Sequence, residues 1–470
     1  MEEVVHLEEV EDKMEKNISA EEKLGNQKML PLIMRMALPA VTAQLINLLY
    51  SIVDRVFIGH IEGIGTNALA GVGVTGSVII LITAFSAIVG MGGAPLAAIA
   101  LGKGDRERAG YILGNGFTML IAFTVITSLI TYLFMEPILL FTGASLETLG
   151  FATDYLSIYL IGTLFVLITV GLNSFITVQG RPGIAMWSVI IGASINILLD
   201  YIFIFILGMG VKGAALATVI SQGCSAAWVI HFLISKKATL PLQLSNMKIH
   251  KNIILSTLAL GISPFVMAST EALVGFVLNG SLKNYGDIHI STMAIIQSAL
   301  LIISIPLSGF AQGFSPIISY NYGAKKNERV KECFKICFII MTSFNAILTI
   351  FMIFFPRVIA SAFTNDVELI NTVQSVLPTF LLGMTLFGMQ RTCQSMFIAL
   401  SQAKTSIFIA VLRKLILLIP LALLLPIKLG VMGIYWAEAI SDGTAAICCI
   451  TIFIITFPKI LSRNLLVSSK

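Results

Sequence analysis

Residues 93–108 read G-A-P-L-A-A-I-A-L-G-K-G-D-R-E-R, and residues 314–329 read F-S-P-I-I-S-Y-N-Y-G-A-K-K-N-E-R. At a shift of 221, Pro95 falls on Pro316, Gly102 on Gly323, and Glu107-Arg108 on Glu328-Arg329. Each stretch is the end of an apolar run followed by a basic turn. A second pair lies further on: G-V-K-G-A-A-L-A-T-V-I-S-Q from Gly210 matches G-V-M-G-I-Y-W-A-E-A-I-S-D from Gly430 at a shift of 220. A-L-P from Ala37 corresponds loosely to I-S-P from Ile262. The chain is one unit written twice, and the fold follows from what that unit is.

With 57% hydrophobic and 12% charged residues in 470, the unit is membrane-embedded. Twelve apolar segments are expected, from Leu32–Ile58, Leu69–Leu101 and Tyr111–Met135 through Leu369–Leu400, Ser406–Leu425 and Val431–Phe457. Such runs are too long for buried core helices, and barrel strands alternate over only about 10 residues. The fold class is therefore all-α polytopic membrane protein. Six helices per copy is an even number, so the copies insert in parallel as two six-helix lobes, related by an axis along the membrane normal. The expected division is a polar acidic tail (1–28), a first lobe (29–234), a linker (235–252), a second lobe (253–457) and a short tail (458–470). Lys103, Arg106, Arg108, Arg181, Lys236, Lys325 and Arg329 all fall after even-numbered segments. By the positive-inside rule both termini are cytoplasmic. The acidic opening M-E-E-V-V-H-L-E-E-V-E-D is not a cleavable signal, and the six cysteines lack disulfide or zinc spacing.

Of 25 acidic residues, nine lie in the tail and eleven in loops or at helix ends, leaving Asp54, Asp200, Glu271, Glu438 and Asp442 at membrane depth. A carboxylate there costs about 2.5–3.5 kcal/mol even on lenient insertion scales. Asn196 precedes Asp200 by four residues, so a helix carries both on one face. Counted from the outer ends of their segments, Asp54, Asn196, Asp200 and Thr218 share one layer of the first lobe. Arg55 points about 100° away from Asp54 along the helix and is free to reach the surface. Two neighbouring carboxylates without a buried cation would share a proton or bind a metal cation, with Asn and Thr oxygens completing the shell. The alternative is that each is only a hydrogen-bonded staple between helices. In the second lobe, Glu271, Glu438 and Asp442 lie at the same depth as Arg391, Arg413 and Lys414. A buried ion-pair network that fixes packing is there as plausible as a functional role.

Weaker signals were weighed beside these. G-V-G-V-T-G (71–76) fits a dinucleotide pattern, but it opens a spanning segment with no strand before it, so its glycines are read as helix-packing positions. Pro39, Pro264, Pro306, Pro378 and Pro420 interrupt helices and permit kinks. Methionines such as Met186, Met267, Met293, Met384, Met389 and Met396 would suit an adaptable cavity. No nucleophile–base set is present, so no enzyme chemistry is indicated.

Taken together, V-D-R-V-F-I-G (53–59), N-I-L-L-D-Y-I-F-I-F (196–205), G-x-x-Q-G-x-x-P-I-I-x-Y-N-Y-G-A-K (309–325) and W-A-E-A-I-S-D (436–442) carry a resemblance. Over residues 30 to 457 the chain resembles the multidrug and toxic compound extrusion (MATE) transporters, and looks nearest to their bacterial multidrug-export branch. The resemblance implies a monomeric antiporter in a bacterial cell membrane. It would expel small organic, often cationic, compounds in exchange for Na+ or H+, with no cofactor and no nucleic-acid partner. It places a cation site on Asp54, Asn196, Asp200 and Thr218, a helix bend at Pro39, and in one branch a coupling role on Glu271. That branch's segment 10 aspartate has no match, because the region reads G-M-Q-R-T-C-Q around Arg391. A flippase for a lipid-linked saccharide on the same superfold is the alternative, and would need several basic residues in the cavity. A major-facilitator carrier is disfavoured by the full motif set.

Overall fold

The computed structural model describes residues 22–466; the rest of the acidic tail and the last four residues lie outside them. Hydrocarbon offers the backbone no hydrogen-bond partners, so each apolar run closes its own ladder as a helix. Eleven helices are long and apolar enough to span a membrane, and a bent pair makes a twelfth. In chain order they are α1 (Met29–Gly59), α2 (Gly65–Gly102), α3 (Arg106–Leu133), α4 (Leu149–Val178), α5 (Pro182–Ile206) and α6 (Gly210–Ile234). The second copy holds α7 (Lys251–Lys283), α8 (Asp287–Gly323), α9 (Asn327–Phe354), α10 (Val367–Leu381 and Gly383–Ala399), α11 (Ala403–Leu429) and α12 (Met432–Leu466).

Two hydrophobic cores correspond to the two copies, but the first helix of each is shared. Met29, Leu32, Ile33, Met36 and Ala37 of α1 pack in the second core, whereas Ile58 at its other end packs with Tyr155 and Tyr159 of the first lobe. Reciprocally, Ile253, Ile254, Leu258 and Phe265 of α7 rest on the first core, and Val274, Leu278 and Leu282 belong to the second. α1 still meets the second lobe at Val41 and Gln44, and α7 still meets the first at Phe265, so each helix changes lobe beyond its proline, Pro39 or Pro264, the two prolines that match loosely between the copies. Packing thus assigns the start of α1, expected in the first lobe (29–234), to the second.

Glycines let these crossings close. A Cβ on Gly92 would lie 2.5 Å from the Thr257 carbonyl oxygen, and one on Gly309 2.6 Å from the Val41 Cα. Gly313, 221 positions after Gly92, meets Ala37 in the same way. Gly102 abuts Tyr320 and Gly323 abuts Ile99, so α2 and α8 touch backbone to backbone beside the basic turns. Further into the membrane the lobes still meet through Gln44–Gln312 at 3.3 Å and the Phe85–Phe265 ring pair at 4.9 Å. The glycines of G-V-G-V-T-G divide: Gly71 sits against Phe151 and Thr148, but Gly73 and Gly76 line a cavity and have nothing within 4 Å.

The polar ends are also tied. Leu24, in the short helix Glu22–Asn26, is fully buried on the second lobe. The Leu24 carbonyl accepts from Asn321 Nδ2 (2.8 Å), that of Gly25 from Lys326 (2.9 Å) and that of Gln27 from Arg329 (2.7 Å). This is the usual cationic capping of a helix C-terminus. Asn115 holds the linker, donating to the Lys248 carbonyl (3.0 Å) and accepting from the His250 N–H (2.8 Å). Beyond Phe457, α12 continues to Leu466, because Asn327 and Asn464 bind it to the α8–α9 turn.

Proline does not mark where helices break. α1, α7 and α8 run continuously through Pro39, Pro264 and Pro306. α10 continues past Pro378 and bends by 45° at Gly383. A side chain at Gly383 would strike the Ala439 carbonyl. The carbonyls freed at the bend, of Met384 and Thr385, accept from Asn345 Nδ2 at 2.8 and 3.0 Å. Before Pro420, α11 widens into a π-helical stretch, Leu412–Leu418, which absorbs the missing donor.

The α2–α8 contact predicts a steric outcome. Gly102→Val with Gly323→Val should push these helix ends apart by about 2 Å or more, since interaxial distance follows the side chains at the contact. Spin labels at Lys103 and Lys325 would read this as a longer distance; an unchanged distribution would show that the glycines do not set the approach.

Candidate functional site

A cavity of about 1090 Å³ lies between the lobes. It runs from Asp54, Arg55 and Leu69, at the end away from the basic turns, to Pro95, Thr177, Pro182 and Pro316 near them. The first lobe supplies most of the wall through α1, α2, α4, α5 and α6; Ala268, Ser308, Gln312 and Arg391 come from the second.

Helical spacing builds the polar cluster in its wall. On α1, Asn47, Ser51 and Asp54 recur at intervals of four and three, so all three face the cavity. On α5, Asn196 and Asp200 are 1% and 0% exposed, and a π-helical stretch, Tyr201–Ile206, starts directly after Asp200. Such widened turns often accompany functional residues. The carboxyls of Asp54 and Asp200 lie within reach of one another. As carboxylates they have no donor to offer: both Asp200 oxygens and Oδ1 of Asp54 are buried without a hydrogen-bond partner. Both polar atoms of the Asn196 side chain are unpartnered too. Thr218 donates to the Ala214 carbonyl at 3.1 Å, and the Tyr155 hydroxyl lies within reach of its oxygen, which keeps a second lone pair for a ligand. Asp54, Asn196 and Thr218 line the cavity, and Asp200 sits behind them.

The chemistry of this donor set is specific. Unpaired buried polar atoms are costly, and a pair of carboxylates that touch is costlier. One proton would turn the pair into donor and acceptor. A hard cation would instead draw on both carboxylates, with the Asn196 and Thr218 oxygens as neutral ligands. Arg55 is exposed and forms no ion pair with Asp54 among the described residues. Tyr50 lies within electrostatic range of both carboxyls, and Tyr155 and Tyr159 stack at 6.3 Å beside them. These tyrosines escaped the sequence reading, although Tyr50 precedes Asp54 by four residues and so shares its face.

The second lobe is arranged differently. Arg413 grips Asp442 through two hydrogen bonds, Nε at 2.6 Å and Nη2 at 3.1 Å, and Lys414 pairs with Glu438 at 3.0 Å. The Arg413 guanidinium also lies 5.0 Å over the Phe387 ring, and its backbone carbonyl accepts from Ser441 (2.6 Å). None of these four charged groups lines the cavity. Glu271 is exposed, within electrostatic range of Arg391 and Arg413, and also outside the lining. Of the residues singled out in this lobe, Arg391 alone reaches the cavity. Among the methionines, Met186 lines it, while Met293, Met384 and Met396 are core residues.

Comparison with known proteins places this arrangement. The family described as MatE matches residues 39–202 and 265–424. The multidrug export protein MepA of Staphylococcus haemolyticus is 26% identical over 414 residues, covering 88% of this chain and 91% of its own. MepA of a Staphylococcus aureus strain is 25% identical over 423 residues, covering 89% and 92%. A crystal structure of MATE in the bent conformation superposes with a TM-score of 0.88 at 21% identity, covering 95% of this chain and 99% of that one. An outward-facing MATE family transporter of the MOP superfamily gives 0.86 at 21%, covering 93% and 98%.

The paired charges of α11 and α12 make a stability prediction. Arg413→Met alone strands the buried Asp442 and should cost about 3–5 kcal/mol, whereas adding Asp442→Leu should restore most of it. Thermal unfolding of the purified variants measures both. A double variant as unstable as the single one would assign the pair a role beyond mutual compensation.

Proposed function

The chain belongs to the MatE family, and we propose that it expels small organic compounds, many of them cationic, across the plasma membrane in exchange for Na+ or H+. It is a transporter, not an enzyme. The breadth of cargo rests on its relatives, which are named as multidrug export proteins. The coupling reading rests on one observation above all: the neighbouring carboxyls of Asp54, in the wall of a cavity between two lobes, and Asp200, just behind it, with Oδ1 of Asp54 and both Asp200 oxygens buried without a hydrogen-bond partner.

In this reading a proton or sodium ion supplies what Asp54 and Asp200 lack, and Asn196 and Thr218 accept the ion's remaining bonds. The loaded and empty clusters differ by a full charge beside the cavity. A ligand shifts a conformational equilibrium only through such differential interaction. The basic turns of α2–α3 and α8–α9 face the cytoplasm, together with both termini. The lobes touch at that end, so the cavity faces outward in this arrangement. The protein works as a monomer, because both halves of the pathway lie in one chain. The flippase alternative needs several basic groups in the cavity, and Arg413 and Lys414 are committed to ion pairs elsewhere.

Asp200→Asn keeps the shape and removes one charge. Gradient-driven ethidium efflux from proteoliposomes should fall about tenfold or more, equivalent to at least about 1.4 kcal/mol of lost coupling, while the amount of inserted protein stays at the wild-type level. An imposed sodium gradient and an imposed pH gradient, run separately, identify the ion. Undiminished efflux by Asp200→Asn under both gradients would remove Asp200 from the coupling site.

A further inference from the structure

One buried charge is left over by both the coupling cluster and the second-lobe ion pairs. Arg391 stands on α10 two turns beyond the 45° bend at Gly383, which Asn345 fixes by binding the carbonyls of Met384 and Thr385. The bend is thus a built feature with its backbone satisfied, and it carries Arg391 to the cavity wall. There, among the described residues, the guanidinium makes one hydrogen bond, from Nη2 to Ser308 Oγ at 3.2 Å, with the exposed Glu271 within electrostatic range. Its Nε is buried without a partner. Among the described residues it has no carboxylate within ion-pair distance, in contrast to Arg413 and Lys414 on the neighbouring α11. Five N–H donors in a planar fork thus meet one serine hydroxyl.

A permanent cation inside a membrane protein is expensive, and its default reading is functional when it faces a cavity. Arg391 adds nothing to the retention of a simple organic cation, which it repels. Its fork does match a carboxylate, in two parallel charge-assisted hydrogen bonds. The first-lobe wall bears the carboxylate of Asp54, with Asp200 behind it and Arg55 at the far end, while Arg391 is the one charged side chain that the second lobe contributes to the described lining. We propose that Arg391, supported by Ser308, is the specificity-determining residue of this transporter, receiving the carboxylate of those cargo molecules that carry one. This deepens the export reading above and rests on it.

The test compares rhodamine B, a cationic dye with a free benzoate, with its ethyl ester, which keeps the cation and lacks the acid. Proteoliposomes holding the wild type, Arg391→Gln or Arg391→Lys are given the same imposed gradient, and initial efflux of each dye is measured. The readout is the acid-to-ester ratio, which corrects for any loss of active protein. Arg391→Gln should lower the ratio about tenfold or more, as expected for one lost charge-assisted pair. Arg391→Lys, a point charge without the fork, should fall between. Fluorescence polarisation of both dyes with the purified variants should give the same order of affinities. A ratio unchanged in Arg391→Gln, or a wild type that exports the ester and not the acid, overturns the inference and leaves the export reading standing. A wild type that exports neither dye under a sodium or a pH gradient overturns the export reading itself.

Discussion

Hydrocarbon gives a polar atom no solvent to fall back on, so each buried charge needs a partner that the chain or its cargo supplies. Most features of this protein are answers to that constraint. Asn345 answers it for the carbonyls freed at the α10 bend, and Lys326 and Arg329 for those ending the short helix Glu22–Asn26. Asp442 and Glu438 are answered by Arg413 and Lys414. At Asp54, Asn196 and Asp200 no internal answer exists, and at Arg391 only a serine hydroxyl.

The same constraint explains why the two copies have diverged. Thr218 and Glu438 occupy one register of the repeat, 220 positions apart. In the first lobe the position carries a neutral acceptor beside two bare carboxyls. In the second it carries a carboxylate, neutralised by Lys414 three ångströms away. A charge that is already paired has little to gain from an arriving ion. The paired charges of the second lobe also lie outside the cavity lining.

How much of this the sequence displays depends on whether an interaction is local. The lobes, their parallel repeat and the α5 pair Asn196–Asp200 are legible because period and spacing along a helix determine them. The segment 8 motif is legible as a pattern but not in its meaning. Gly309 and Gly313 admit α1, Gln312 reaches Gln44, and Asn321 captures the chain at Leu24, all across hundreds of residues. The bend in α10 is hidden for the same reason. Pro378 is the obvious breaker, yet the helix passes it and turns at Gly383, where the partners come from α9 and α12. The ion pairs of α11 and α12 are hidden likewise, because Arg413 and Asp442, 29 residues apart, and Lys414 and Glu438, 24 apart, meet only in the fold.

The exchanged first helices carry a mechanical consequence. α1 begins in one body, at Leu32 and Met36, and ends in the other, at Asp54 and Ile58; α7 does the reverse. Each is a rod clamped at opposite ends by the two lobes. Neither lobe could turn against the other without twisting or flexing both rods. An ion bound at Asp54, as proposed, would therefore act on the end of a torsion bar whose far end grips the opposite lobe. Under that proposal the effect needs no relay of side chains through the cavity, because one continuous backbone already joins the two lobes.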